Sequence, residues 1–107
     1  MQPIACLPER LSEVERRRRK ELMQELSRSV EEMQELEHGY RFQYRAGAVE
    51  WASLAEFVEL ERQCCPFFTF TARVGPDGAP LSLALTGREG VKAFLREQGA
   101  GVPGPDG

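Results

Sequence analysis

The chain predicts a single α+β domain with the element order α-β-α-β-β-α. Three observations predict it. Apolar residues recur at three- and four-residue spacing in separate stretches, aromatic and polar residues alternate in short stretches between them, and 107 residues suffice for one core. Together they imply a three-stranded sheet whose last two strands form an antiparallel hairpin, packed against helices of which the first is long.

Residues 1–11, with Pro3 and Pro8, read as an irregular leader. Ser12 followed by Glu15 has the spacing of a capping box and opens a helix. Leu22, Leu26, Val30 and Met33 line one face and carry that helix to about Glu37, where Gly39 supplies a left-handed residue to end it. The first half of this helix is nearly all charged and includes the run Arg16-Arg17-Arg18-Arg19-Lys20. It reads as a solvated face, or as an arm through which two copies pair, basic block against acidic residues such as Glu31 and Glu32. Tyr40-Arg41-Phe42-Gln43-Tyr44-Arg45 alternates with the period of a half-buried strand. Trp51, Leu54, Ala55 and Val58 share a face of a second helix, widened by Phe57, Leu60 and Cys64, and Pro66 forces the residue before it out of helical conformation. Phe68, Phe70, Ala72 and Val74 then alternate with polar residues, a turn follows at Gly75-Pro76-Asp77-Gly78, and Leu81, Leu83 and Leu85 mark the returning strand. Thr86 and Glu89 repeat the capping-box spacing ahead of a last helix with Val91, Phe94 and Leu95 inward and Gly99 closing it. The domain therefore spans 12–98, and the segment 99–107, rich in Gly and Pro, reads as a flexible tail.

Composition excludes several classes. The formal net charge of −3 gives phosphates nothing global to attract them, so nucleic acid is not an expected partner. No apolar run approaches the length of a membrane span, and the first residues lack the basic start and apolar core of a secretory signal. A cytoplasmic location is expected. Three cysteines are too few for a disulfide scaffold, which fits a reducing compartment. There is no C-x-x-C motif, no second spaced Cys or His pair for a structural zinc, no glycine-rich phosphate loop and no Ser-His-Asp set.

What stands out is the block Glu61-Arg62-Gln63-Cys64-Cys65-Pro66-Phe67-Phe68. A disulfide between sequence neighbours closes a strained ring, so Cys64 and Cys65 are expected as free thiols. With Cys64 ending the helix and Cys65 extended, small rotations would bring both sulfurs to one ion, and paired thiolates select soft ions such as Hg(II), Cu(I), Zn(II) or As(III). Arg62 would favour the thiolate form, while the negative end of the helix would oppose it. Cys6 is a third ligand if the leader folds back, and otherwise an incidental terminal residue. His38, the sole histidine, is the other candidate ligand, although its place at a helix C-terminus accounts for it equally. Glu61, three residues before Cys64, is placed to exchange a proton with a bound thiol or substrate, or to pair with an arginine. Phe67 and Phe68 would shield a bound ion. Set against all this, two cysteines also serve as small buried hydrophobes.

The chain resembles an uncharacterised family of small bacterial proteins. The resemblance covers most of residues 12–96. It is carried by His38-Gly39-Tyr40-Arg41-Phe42, by Glu61-Arg62-Gln63-Cys64-Cys65-Pro66-Phe67-Phe68-Thr69-Phe70 and by the segment from Leu83 to Leu95. That family is similar to sequences found alongside heavy-metal-responsive regulators of the mercury-resistance type. The resemblance implies soft-metal handling at Cys64 and Cys65 and implies no mechanism.

The expectation is a protein that binds a thiophilic metal or metalloid ion, with Hg, Cu(I), Zn or As as the candidate cofactor, through Cys64 and Cys65, for sequestration, transfer or sensing. Two alternatives stand beside it. One is a small cysteine-dependent enzyme acting on an organometal, peroxide or disulfide, with Cys64 and Cys65 as nucleophile and resolving thiol and Glu61 as acid or base. The other is a homodimeric interaction module built on the N-terminal helix, its cysteines structural.

Overall fold

The structure, a computed structural model, describes residues 3–98. Helix α1 (Glu13–Ser29) begins at the predicted box: Ser12 Oγ accepts from the Glu15 N–H (3.1 Å), and the Glu15 carboxylate accepts from the Ser12 N–H (2.8 Å). Leu22, Leu26 and Ser29 form its buried stripe. The helix stops at Ser29, where Val30 is extended, and residues expected to prolong it form strand β1 (Val30–Leu36). Strand β2 (Gly39–Tyr44), helix α2 (Trp51–Cys64), strand β3 (Thr69–Arg73), strand β4 (Ser82–Thr86) and helix α3 (Val91–Gln98) follow. The order is thus α-β-β-α-β-β-α rather than α-β-α-β-β-α, and the sheet has four strands rather than three.

All neighbours in the sheet are antiparallel, in the order β1-β2-β4-β3. Two hairpins, β1-β2 and β3-β4, meet along β2 and β4, where Tyr40 faces Leu85 and Phe42 faces Leu83. These four residues, with Tyr44, turn to the helices and join Leu22, Leu26, Leu54, Phe57 and Leu60 in the core. Arg41, Gln43, Ser82, Ala84 and Thr86 alternate onto the opposite face. The core therefore lies under β2 and β4, and both outer strands are largely exposed.

That exposure explains why β1 is not legible as a strand. Its sequence, Val-Glu-Glu-Met-Gln-Glu-Leu, is rich in good helix formers and shows no period of two. It becomes a strand because β2 offers it a row of backbone partners, not because its side chains have a face to bury. Pairing Leu36 with Gly39 leaves Glu37-His38 as a two-residue turn, and neither residue has positive φ, so the Asn-Gly signal of a tight hairpin is missing.

Gly39 is not the left-handed helix terminator expected of it; positive φ occurs at Gly47, Gly78 and Gly90 instead. It is glycine because β2 runs close to β4: a Cβ here would drive into the carbonyl oxygen of Leu85. Two further corrections concern ends and surfaces. Thr86 is the last residue of β4 and α3 starts only at Val91, so the second capping-box spacing does not open that helix. Trp51, assigned inward, is 48% exposed, and α2 buries Leu54, Phe57, Leu60, Glu61 and Cys64. Gly99 and the tail 99–107 lie outside the described residues.

No helix among the described residues is long and apolar enough to cross a membrane. Leu54→Ala, at a fully buried site, is expected to cost about 2–5 kcal/mol in chemical denaturation. Gly39→Ala should also lower the denaturation midpoint. Met33→Ala on β1, at a side chain 37% exposed, should change stability by no more than about 0.5 kcal/mol.

Candidate metal centre

The leader does not dangle. A 3-10 turn at Pro8–Arg10 brings it across the end of α2, where the Leu7 N–H donates to the carbonyl of Cys64 (2.6 Å). Leu11 is buried in the core. A helix leaves its last carbonyls without intrahelical partners, and the leader supplies one of the missing donors. This docking sets Cys6 beside Cys65, with Cα atoms 4.4 Å apart, and the two are joined by a disulfide. The expectation of free thiols at both Cys64 and Cys65 is therefore corrected. The bond spans 59 residues instead of closing the strained ring between neighbours, and Cys64 alone remains a thiol.

The sulfurs of Cys6, Cys64 and Cys65 nonetheless lie within 4.8 Å of one another. Their arrangement follows from the chain path foreseen for Cys64 and Cys65. Cys64 is the last residue of α2, Cys65 is already out of helical conformation (φ −122°, ψ 77°), and Pro66 continues the chain away. Both are buried, while Cys6 is half-buried and offers the approach from solvent. Beyond Pro66 an aromatic group closes one flank of the core: Phe67 stacks edge-on against Phe94 (5.0 Å between centroids) and lies 4.5 Å from Phe68.

The charged partner of the sulfurs is not Arg62, which is exposed and pairs with Glu59 across one turn of α2. It is Arg19. Its guanidinium forks onto Glu61, Nε to Oε2 at 2.7 Å and Nη2 to Oε1 at 3.1 Å, and Nη2 also stands 4.0 Å from Cys65 Sγ. The Glu61 side chain is only 4% exposed, so its charge is held by this two-pronged contact, and both of its oxygens are engaged. Sequence reasoning overlooked Arg19 by reading residues 16–20 as one block. The signal was present: Arg19 extends the Leu22-Leu26-Ser29 stripe by one step of three, and Glu61 sits on the Leu54-Phe57-Cys64 stripe. Opposite charges on the buried stripes of two helices that pack together have to meet. Two more arginines of the block are engaged within the chain. Arg18 pairs with Glu56 of α2, and Arg16 donates to the carbonyls of Pro8 and Leu11, fastening the leader. His38 sits exposed in the β1-β2 turn, not at a helix end, and is not among the residues that cluster with sulfur.

Burial is the main influence raising the Cys64 pKa above the ordinary thiol range, and Glu61 and Glu9 push the same way, while Arg19 and the Leu7 N–H pull it down only in part. Cys64 is thus a protonated thiol at neutral pH, not an activated nucleophile. Burial raises the Tyr44 phenol in the same direction.

Both groups keep their protons to higher pH when folded than when unfolded. Stability should be flat below the unfolded thiol pKa and fall as pH rises above about 9, which urea denaturation across a pH series would read. Reducing Cys6–Cys65 releases a loop closed across 59 residues and should lower stability by about 4 kcal/mol on the chain-entropy model. Arg19→Met, which strands the buried Glu61 carboxylate, should cost about 2–3 kcal/mol, discounted because Arg19 itself reaches solvent.

No protein-family model, curated protein or solved structure matches the chain.

Proposed function

We propose that the protein binds a thiophilic metal or metalloid ion through Cys6, Cys64 and Cys65 once the Cys6–Cys65 bond is reduced, for sequestration, transfer or sensing. The observation that carries this is the mutual approach of three sulfurs within 4.8 Å at the end of one helix. Reduction by a cellular thiol or dithiol supplies two electrons and two protons. The S–S bond breaks, two cysteine thiols form, and the reductant leaves as its own disulfide. Three soft donors then stand close enough together to share one ion. Among the described residues no histidine or carboxylate joins them as a fourth ligand. Tetrahedral zinc is poorly served by such a set, whereas ions that accept two or three sulfurs, of the Hg(II), Cu(I) and As(III) kind, are well served. The leader becomes part of the site rather than its cover. The resemblance of the Glu61–Phe68 block to a family that is similar to sequences found alongside mercury-type regulators favours the same chemistry.

One observation favours a second function, thiol–disulfide exchange: a free thiol, Cys64, lies within 4.8 Å of a disulfide. Attack of its thiolate on Cys6 would form Cys6–Cys64 and release Cys65 as the thiolate, with no net redox change. The burial and raised pKa of Cys64 weigh against it as the attacking group.

Titration of the full chain, reduced with a phosphine that is removed beforehand, tests the proposal. Hg(II) or Cu(I) should produce sulfur-to-metal charge-transfer absorption that saturates at one ion per chain. Cys6→Ser should weaken Cu(I) binding by about tenfold or more. No binding above that of a Cys64→Ser, Cys65→Ser variant would refute metal binding. Turnover of a disulfide or peroxide with one cysteine far more readily alkylated would instead establish exchange. Thiols that resist labelling until the protein is denatured, with no ion bound, would leave the cysteines a structural role.

A further inference from the structure

We infer that the three-sulfur site is matched to a trivalent metalloid of the arsenite class, taken up as a neutral tris-thiolate, rather than to a mono- or divalent ion; the inference rests on the metal-binding function proposed above and names its guest. The fixed charges around the sulfurs carry it. Arg19 is the cation in contact with them, and its charge is already matched by Glu61, whose two oxygens it binds at 2.7 and 3.1 Å. Glu9 adds a negative charge within electrostatic reach of Cys64. Cys64 itself closes α2, so the sulfurs also lie at the negative end of a helix. The surroundings are therefore neutral to slightly negative, and Cys64 and Cys65 are essentially inaccessible to water, with 1% and 0% of their surfaces exposed.

Burying net charge without a countercharge is costly, so the charge of the complex decides which guest the site accepts. Three thiolates on Cu(I) carry −2, and on Hg(II) or Zn(II) they carry −1. Three thiolates on As(III) or Sb(III) carry none. Hg(II) can avoid the excess charge only by using two of the three sulfurs. Proton balance points the same way. Arsenious acid arrives neutral with three hydroxyls. Each cysteine S–H gives its proton to one of them, three As–O bonds break, three As–S bonds form and three waters leave. Arsenic remains trivalent throughout, and the three thiol protons leave on the waters, so no net charge enters or leaves the core. A divalent cation would instead have to expel three protons from the same thiols.

The reduced full-length chain, incubated with arsenite or with one equivalent of Hg(II), tests this by native mass spectrometry and by alkylation of the remaining thiols. Arsenite should add one arsenic less three hydrogens per chain and protect all three cysteines. Hg(II) should protect two and leave the third open to alkylation. Hg(II) holding all three sulfurs while arsenite holds two or fewer would overturn the charge match but leave metal binding intact. Failure of both ions to bind would overturn the metal-binding function and this inference together. Two variants isolate the charge. Glu61→Gln uncovers the Arg19 cation and should raise the ratio of Zn(II) to arsenite affinity by about tenfold or more. Removing both charges, in Arg19→Met with Glu61→Gln, should return the ratio to within about threefold of the parent chain. An unchanged ratio in folded Glu61→Gln would sink the inference, and should that variant not fold, the count of protected thiols in the parent chain decides alone.

Discussion

One ion pair organises the cysteine-bearing end of this protein. Arg19, partly exposed on α1, and Glu61, buried on α2, meet where the two helices pack, a few residues before α2 stops. A buried pair of this kind adds little net stability over apolar side chains of equal size, because both charges lose their water. What it does impose is registry: a carboxylate that is 4% exposed tolerates no other arrangement of the two helices. Since Cys64 and Cys65 follow Glu61 within one turn, fixing Glu61 against α1 fixes the sulfurs relative to the helix from which the leader departs. Cys6 can then find Cys65 only because Leu7, Leu11 and Arg16 hold the leader on the same surface.

The parts of the fold that were legible in the sequence are those whose side chains carry the pattern. Ser12 and Glu15 mark a helix start by their capping box, while the alternation of Tyr40, Phe42 and Tyr44, the stripe through Leu54 and Leu60, and Leu83 with Leu85 each bury a face, and each element appears where its signal requires it. Strand β1 was illegible because it buries almost nothing; its stability comes from backbone pairing with β2, which leaves no mark on hydrophobic periodicity. Gly39 shows the same limit from another side. A glycine after a charged helical stretch has an obvious local explanation, and only the proximity of β4, more than forty residues later, reveals the real one.

At the site, the residue types were legible and their pairing was not. Cys64 and Cys65 attract notice by adjacency, yet adjacency is the one relation that discourages a bond between them. The partner that matters is Cys6, and its approach depends on a leader whose prolines give no periodic signal. Arg62 looked like the thiolate's counterion because it is near in sequence, but on a helix the residue two before Cys64 points away from it, and it pairs outward with Glu59. Arg19 came from the other helix. Nearness in sequence misleads at a helix end, where side chains fan out around the axis.

On the metal-binding function proposed above, the oxidised and reduced forms of the three cysteines would be two uses of one geometry. Besides the S–S bond itself, the leader is held beside Cys65 by Leu7, Leu11 and Arg16. Reduction should therefore loosen the leader without dispersing it, leaving three thiols preorganised rather than two with a distant third. Preorganisation is what a three-coordinate guest needs, since each ligand that must be ordered on binding subtracts from affinity. Oxidation and occupancy would be mutually exclusive, because a sulfur bonded to sulfur has no thiol proton to give up and no thiolate charge to donate to a metalloid. On the metal-binding function proposed above, a guest would be lost whenever an oxidant joined two of the three sulfurs, while the Arg19–Glu61 contact would still hold the end of α2 against α1.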